Sequence, residues 1–530
     1  MTKKIFSILL CLSFFASNLL ALQLEDKLSP KSIFIDPQQI KMILEIERQI
    51  GQIDEIAAGL VATLPEEDSL IKNLKQAAFE IHKIKPENRT QEHKNQYNFI
   101  LKVLGSRDDF RPYLVSDMSR EVMKQIDKTG IFSDEIYKLD QIRFYELAKK
   151  IVTYQVVEQV KSGKITNQQV YFSVIETCLS RLLIKKVDID LEKRGEKRKI
   201  SYVIPMWNEE ERLSKPSELF TGEDSFDVKM EQLEFLYDGI QNVDYQIIFM
   251  LDKKGVPARD KNVEGTRVML QQKTENLSKN LQSKIIIKST LDVDHAGVDL
   301  ATSIKGGAVQ VALRDLAKNH PEIDYAYYTD TDVSVNPGNT GMLLFESFYG
   351  EKDVVIGART VQNSHVFGKS EFRKFLSLGF NSLTRALFIL DISDTQVGAK
   401  LVKLRPHFVK IEQDFIEVSM SFDPQMLKLL QDDGASISEV GIVWIDSSYV
   451  SYSAGLTKRM FNDSMRMVGI KSYTRLPLFI AKQLITHPGV AFAIIKNFIP
   501  NYFRSIFSTQ DLSLMPDMKL NLLKAIDTRA

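Results

Sequence analysis

The sequence predicts an α/β protein: a mostly parallel, Rossmann-like sheet with helices on both faces, preceded by an all-α segment and followed by a helical tail. Three observations carry this. From Asp36 to about Lys185 the apolar residues recur only at helical spacing. From Ile200 onward, short β-branched runs alternate with helical stretches, which is the pattern of strand–helix–strand units. After Ser464 the chain turns basic and aromatic and carries no acidic residue as far as Gln510. A chain of 530 residues is too long for one simple core. The expected organisation is 1–22 as a signal peptide or anchor, 23–190 as an α-helical segment, 198–455 as the sheet domain, and 456–530 as a basic amphipathic tail.

Composition bounds the function classes. Hydrophobic residues make up 44% and charged residues 26%, which is ordinary globular material. Lys+Arg equals Asp+Glu at 69 each, so there is no basic excess pointing to nucleic acid, and any electrostatic specialisation is local. Cys11 and Cys178 are the two cysteines, which excludes a disulfide framework, a thiolate metal site and a Cys-x-x-Cys redox pair.

Taken in order, Met1-Thr2-Lys3-Lys4 followed by the apolar run Ile5–Leu22 has the form of a secretory signal. Ala21 suits the residue before cleavage, Leu19 fits that pattern poorly, and an uncleaved anchor is the alternative. Asp36-Pro37 caps a first helix with apolar residues at Ile40, Ile43, Leu44, Ile46, Ile50 and Ile53. Further amphipathic helices are expected at about Glu67–Ile84, Gln91–Leu104, Asp117–Asp127, Ser133–Lys161 and Asn167–Leu183. His82 and His93 lie in these stretches without matching partners, so they read as structural or surface residues. The run Glu192–Lys199 is dense in charge and reads as a linker.

Beyond it the expected strands are Ile200–Pro205, Tyr245–Leu251, Lys284–Lys288 and the aromatic run from Ile323 into Asp330-Thr331-Asp332, with helices at about Lys229–Gln241, Thr266–Leu281 and Gly306–Lys318. The aromatic run before Asp330 ends in Asp330-Thr331-Asp332 and then in the turn Asn336-Pro337-Gly338. Were the strand to persist to Asp332, both carboxylates would share one face at its carboxyl end, the edge where open α/β sheets bind ligands. Paired carboxylates there suit Mg²⁺ or Mn²⁺.

The order of motifs is distinctive. Tyr202-Val203-Ile204-Pro205-Met206-Trp207-Asn208-Glu209 opens the unit. Lys305-Gly306-Gly307 precedes a helix, Asp330-Thr331-Asp332 follows it, and Ile356-Gly357-Ala358-Arg359 ends the next strand. Asp394-Thr395-Gln396-Val397-Gly398-Ala399-Lys400, Phe422-Asp423 and Glu439–Asp446 come later. From about residue 198 to 468 this series resembles the family 2 glycosyltransferases, and within them the dolichyl-phosphate glucosyltransferase and dolichol-phosphate mannose synthase branch.

The resemblance implies a GT-A fold and a role for each motif. Pro205, Trp207, Glu209 and Asp252 would hold the nucleoside, with Trp207 standing where relatives carry tyrosine and offering a flat face for a base. Leu251-Asp252-Lys253-Lys254 departs from the usual Asp-Asp-Gly-Ser, which puts the base contact in question. Lys305, Gly306 and Gly307 would form a close-approach loop beside the phosphates, at a helix N-terminus. Asp330 and Asp332 would hold Mg²⁺ or Mn²⁺ against the diphosphate of a donor of the UDP-glucose or GDP-mannose type. Arg359, Asp394 and Lys400 would serve the reaction: inverting transfer of a hexose, glucose foremost, to a polyprenyl or dolichyl phosphate. Such an acceptor is already anionic, so it needs cationic positioning by Lys400 and Arg359 rather than a base; Asp394 either acts as a base or orients Lys400. Relatives carry Cys and Phe where Val397 and Ala399 stand.

The tail supplies a separate expectation. Arg466, Lys471, Arg475, Lys482, Lys496 and Arg504 lie among Leu476, Phe479, Phe492, Ile495, Phe498 and Phe503, while Pro477, Pro488 and Pro500 break the run. That composition suits a segment on an anionic membrane surface. A signal peptide conflicts with cytosolic sugar nucleotides, and the sequence does not choose between anchoring, a supplied compartment and action inside another cell. The alternatives are a transferase with a protein, glycan or other lipid acceptor, and an inactive nucleotide-sugar-binding scaffold. A pyrophosphorylase would need a Gly-rich signature after the first strand, which is missing.

Overall fold

The strand β1 (Arg198–Met206) has parallel neighbours on both sides, β2 (Val243–Leu251) and β4 (Tyr325–Thr329). With β3 (Ile285–Ser289), β5 (Val354–Ala358), β7 (Ala399–Lys403) and β8 (Ile437–Gly441) they form a seven-stranded sheet of order β3-β2-β1-β4-β7-β5-β8. Only β7 runs against the rest, antiparallel to both β4 and β5. The mostly parallel α/β architecture expected from the sequence is therefore the one present. From β1 the chain builds outward to β2 and β3, then crosses back to β4 on the other side. The order reverses between β1 and β4, and such a reversal opens a crevice at the strands' carboxyl ends. The inner strands β1, β2, β4 and β5 are buried on both faces, as a parallel sheet covered by helices requires, while the edge strands β3 and β8 are only half-buried.

The computed structural model describes residues 52–67, 69–106, 115–132, 134–303, 305–335, 337–361, 363–369, 371–419, 421–446, 462–469 and 476–487. The N-terminal apolar run, the Asp36-Pro37 cap and most of the basic tail lie outside them. Before the sheet come α1 (Ile53–Val61), α2 (Ser69–Lys83), α3 (Gln91–Ser106), α4 (Val115–Thr129), α5 (Gln141–Lys161) and α6 (Gln168–Arg194). Asn167 caps α6 by accepting from Val170 N–H, and Gly195, at φ 66°, ends it in the left-handed conformation that glycine adopts without strain. The charged stretch expected as a linker is thus the last turn of α6, a glycine cap and the start of β1: Lys193 and Arg194 suit a helix C-terminus, and Arg198 already pairs with Val243.

Buried residues surround α6 on every side (Tyr171, Val174, Cys178, Leu182, Leu183, Val187 and Leu191), because it packs on α4 and α5 outward and on the sheet layer inward. There it meets α7 (Ser225–Tyr237) and α10 (Thr340–Tyr349); α8 (Pro257–Glu275) and α9 (Gly306–Asn319) lie between them in the chain. A Cβ on Gly341 of α10 would stand 2.0 Å from the Ser180 carbonyl oxygen, so only glycine admits this crossing. A small parallel pair, β6 (His365–Phe367) with β9 (Val443–Ile445), adds a second sheet.

The chain divides into two compact units. One comprises residues 46–369 and 394–469 and holds α1–α6 together with the sheet, so the helical segment shares a unit with the sheet instead of standing apart at residue 190. The described residues of the other are 371–393 and 476–487; within it, helix Glu371–Phe388 packs on helix Leu476–Thr486. Among the described residues no helix is long and apolar enough to cross a membrane.

Candidate functional site

β4 ends at Thr329, so the two aspartates lie on the turn after the strand rather than on one strand face. Thr331, between them, donates its hydroxyl to the Pro205 carbonyl at 2.7 Å and ties this turn to the end of β1. The aspartates then diverge. Asp330 turns toward β7: its carboxylate pairs with Lys305, accepts from the Tyr328 hydroxyl at 2.9 Å, and rests on Gly398, where a Cβ would stand 2.4 Å from Asp330 Cγ. Asp332 turns toward the loop after β1, with its Oδ2 3.8 Å from Arg212.

Each side is braced by further charge. Beside Asp332, Arg212 also pairs with Glu209 at 3.3 Å, and Glu223 accepts the Val333 N–H at 3.1 Å. Lys229 of α7, almost fully buried, donates to the Val335 carbonyl at 3.3 Å. Beside Asp330, Lys400 of β7 pairs with Asp423 at 2.7 Å, on α11 (Phe422–Asp432), and both are buried. The Lys305 and Lys400 ammonium groups lie 5.1 and 5.5 Å from the centroid of the Tyr328 ring.

Burial works against ionisation of Asp330, but the charge and hydrogen bond of Lys305 hold its pKa down at about 2. Burial likewise pulls Lys305 down, and Asp330 and Asp423 outweigh it and raise it. Glu209 is pushed up to about 7 by burial, with Arg212 opposing and Asp332 adding. Burial, with Asp332 adding, takes Glu223 to about 8, and burial takes Lys229 down to about 8. Negative potential therefore collects around Asp332, while Asp330 is neutralised by lysine.

At the end of β2, Asp252 is buried; burial raises its pKa to about 6, with Lys254 opposing. Its Oδ2 accepts from Ser303 at 3.2 Å, and Ser303 Oγ in turn accepts the Gly307 N–H at 3.2 Å. Asp252 Oδ1 is buried with no partner among the described residues, an acceptor left for a ligand donor. Trp207 is 39% exposed, with Lys254 Nζ 5.1 Å from its ring centroid. Pro205, Trp207, Glu209, Asp252, Lys305, Asp330 and Asp332 thus converge at the β1/β4 crevice.

Three expectations are corrected by geometry. The room at Gly306 and Gly307 is taken by the protein itself: a Cβ on Gly306 would stand 2.7 Å from the Ser419 carbonyl oxygen, and one on Gly307 2.6 Å from Ser303 Oγ. Lys400 does not face Asp394; its side chain is fully buried on Asp423 and donates to the Val397 carbonyl at 2.5 Å. Asp394 is instead clamped by Arg359 through Nε–H at 2.8 Å, Nη2–H at 2.9 Å and the backbone N–H at 3.1 Å. Burial resists its ionisation, yet Arg359 holds its carboxyl well below the usual carboxylate range. Arg359 also stacks over Trp444 at 5.3 Å, with Lys369 over the same ring at 5.5 Å.

Arg212, Glu223, Lys229 and Lys369 escaped the sequence reading. Arg212 carried one signal, its i,i+3 spacing from Glu209; Glu223 and Lys229 carried none, because a loop and the face of α7 bring them in. Among the described residues no group of three or more His, Cys, Asp or Glu is arranged around a metal position.

Fold and site together define an α/β protein with a charged ligand crevice at the switch point of a mostly parallel sheet. No protein-family model matches the chain. Two solved structures of glucosyl-3-phosphoglycerate synthase from Mycobacterium tuberculosis are similar to it at a low level. The complex with uridine diphosphate has TM-score 0.31 and 12% identity over 55% of this chain and 86% of that one. The complex with Mn²⁺, uridine-diphosphate-glucose and phosphoglyceric acid has TM-score 0.32 and 12% identity over 55% and 85%. At those scores the likeness carries no weight, and the functional reading rests on this chain's own residues.

Proposed function

We propose that this chain is a metal-dependent glycosyltransferase that takes a hexose from a nucleotide-sugar and transfers it, with inversion, to a polyprenyl phosphate. The observation that carries the reading is the Asp330-Thr331-Asp332 turn, docked on Pro205 at the β1/β4 reversal and flanked by Lys305 and Arg212. The donor set fits a hard divalent cation: two aspartates near the surface of the crevice, with burial and Asp332 raising Glu209 and Glu223 in a way that a positive ion would relieve. Asp330 and Asp332 would hold Mg²⁺ or Mn²⁺, which supplies charge stabilisation to the departing nucleoside diphosphate. Trp207 and the unpartnered Asp252 oxygen suit a nucleoside's base face and its donors. Lys305, already beside Asp330, adds a cation where phosphate charge would accumulate.

The acceptor reading is supported by the state of Asp394. A hydroxyl acceptor needs a base whose pKa lies near the working pH. Asp394, clamped by Arg359 and held far below that range, is a poor proton acceptor. A phosphate monoester needs none, since it carries about −1.5 to −2 charges at pH 7. Its oxygen attacks the anomeric carbon as the bond to the nucleoside diphosphate breaks, and Arg359 with Lys369 is the cationic pair at the end of β5.

The test is purified chain with labelled UDP-glucose or GDP-mannose, Mn²⁺ and polyprenyl phosphate. Chloroform-soluble label, lost in Asp332→Ala, is expected. Label that stays in the aqueous phase would sink the lipid acceptor, and no turnover with any donor would sink the enzyme.

A further inference from the structure

The helices before the sheet have so far no task. One hydrophobic cluster joins α2 and α3 through Ile71, Ala78, Ile81, Ile100, Leu101 and Leu104, and its remaining buried member, Phe220, comes from the loop after β1. Phe220 is 2% exposed and meets His82, Tyr97 and Phe79 at ring-centroid distances of 5.4, 6.2 and 6.4 Å. A large aromatic side chain inserted among three rings is an anchor, since its burial contributes both area and edge-to-face contacts.

The loop that carries Phe220 is closed on itself. Asp224 N–H reaches the Ser214 carbonyl at 2.9 Å, Gly222 N–H the Leu219 carbonyl at 2.7 Å, and Leu219 N–H the Lys215 carbonyl at 3.0 Å. Gly222 lies so close to Lys215 that a Cβ would stand 2.5 Å from its carbonyl oxygen. A loop closed in this way moves as one piece. Three residues past Phe220 is Glu223, whose carboxylate takes the Val333 N–H next to Asp332. Fixing Phe220 therefore fixes Glu223, and Glu223 fixes the far side of the aspartate turn.

We propose that the α2–α3 hairpin is a positioning element for the Asp332 corner, acting through the Phe220 anchor and the 214–224 loop. Phe220 is a positioning residue, because the group beside the aspartate turn is Glu223 and the anchor acts on it through three residues of rigid backbone. Lys75 of α2 adds to this, since it interacts electrostatically with Glu223 from the hairpin side. The helical segment is thereby part of the site's framework.

Amide hydrogen exchange on the full chain tests the link directly. In Phe220→Ala, exchange of residues 214–224 and of the Val333 N–H should both accelerate, by about tenfold or more, while the β1–β2–β3 amides keep their protection. Phe220→Leu, which refills most of the volume, should restore Val333; Tyr97→Ala, which removes one of the three rings around Phe220, should accelerate the same amides and serves as the test should Phe220→Ala fail to fold. A freed loop with Val333 protection unchanged would overturn the proposal, as would leucine and alanine variants both matching the parent at Val333. That the corner belongs to a donor site rests on the reading above. If it does, Phe220→Ala also weakens the Mn²⁺ titration read by tryptophan fluorescence in a Trp444→Phe background and raises the donor KM more than it lowers kcat. Altered exchange without that change would leave the positioning role standing and count against the donor site alone.

Discussion

Gly398→Ala tests the placement of Asp330 with one methyl group. The backbone there is not in the left-handed region, so alanine adds no conformational strain of its own; the conflict is wholly with a neighbour. The added Cβ would stand 2.4, 2.5 and 2.6 Å from Asp330 Cγ, Oδ1 and Oδ2. Ordinary contact needs about 3.4 Å or more, so the carboxylate has to retreat by about 1 Å or β7 has to shift. Retreat weakens two contacts, the Lys305 pair and the Tyr328 hydroxyl bond, and charge-assisted bonds of this kind contribute about 1.5–3 kcal/mol each. Overpacking alone costs about 1–3 kcal/mol. With Asp330 in its proposed metal-holding role, a displacement of about 1 Å lowers turnover by about 10²-fold. The assays are Mn²⁺ titration, donor turnover and denaturant unfolding. Loss of turnover and of Mn²⁺ affinity with at most a few kcal/mol of stability is expected. Turnover and Mn²⁺ affinity within about twofold of the parent would refute both the packing argument and the role of Asp330.

Glu176 gives a pH prediction. It is buried in α6, accepts the Val443 N–H at 2.7 Å, and is pushed up by burial from 4.5 to about 8. Between those values the folded chain holds a proton that the unfolded chain has released, so stability falls as pH rises through that window, by an upper bound of about 5 kcal/mol. Unfolding of Glu176→Gln at pH 5 and pH 8 should show that slope removed; parallel pH profiles would contradict the assignment. The buried Lys400–Asp423 pair gives the other: Lys400→Met strands a buried carboxylate and loses about 3–5 kcal/mol, whereas adding Asp423→Leu restores near-parent stability. A double variant as unstable as the single one would show that the pair is not an isolated ionic couple.

What the sequence revealed, and what it hid, follows from the range of the interactions. Strands and helices were legible because hydrophobic period is local: β1, β2 and β3 fall within two residues of expectation at either end. The Asp330-x-Asp332 pattern with Lys305 upstream was legible because ligand crevices form where parallel strands end. Its geometry was not. Whether β4 stops at Thr329 or runs on depends on Thr331 bonding to Pro205, a contact 126 residues away in the chain. The same holds for the misassigned partners. Lys400 and Asp394 are six residues apart, yet β7 carries Lys400 toward Asp423 while Asp394 stays at the end of β5 with Arg359. Gly306 and Gly307 were rightly marked as close approaches, but nothing local tells whether the approaching atoms belong to a ligand or to Ser419 and Ser303.

The cost of this site points to its purpose. Glu209, Glu223, Asp330, Asp332 and Asp423 meet Arg212, Lys229, Lys305 and Lys400 at the ends of two adjacent strands, and several of these groups are nearly or fully buried. Buried ion pairs of this kind are at best neutral against apolar residues of the same volume. Folding alone would therefore fill the space with apolar and aromatic side chains, as it does with Val203 and Ile204 of β1 and Tyr327 of β4 a few residues earlier. The supports are also non-local, with Gly398 and Lys305 holding Asp330 from one side and the hairpin-anchored loop of Glu223 holding the Asp332 turn from the other. Charges that add little to stability, held in place from two directions, are what a pre-organised polar ligand site requires. The two flanks sharpen this: Lys305 beside Asp330 matches a phosphate, and the two aspartates, with Glu209 and Glu223 behind Asp332, match a cation. A ligand that carries both, a diphosphate with its divalent ion, satisfies the two halves at once.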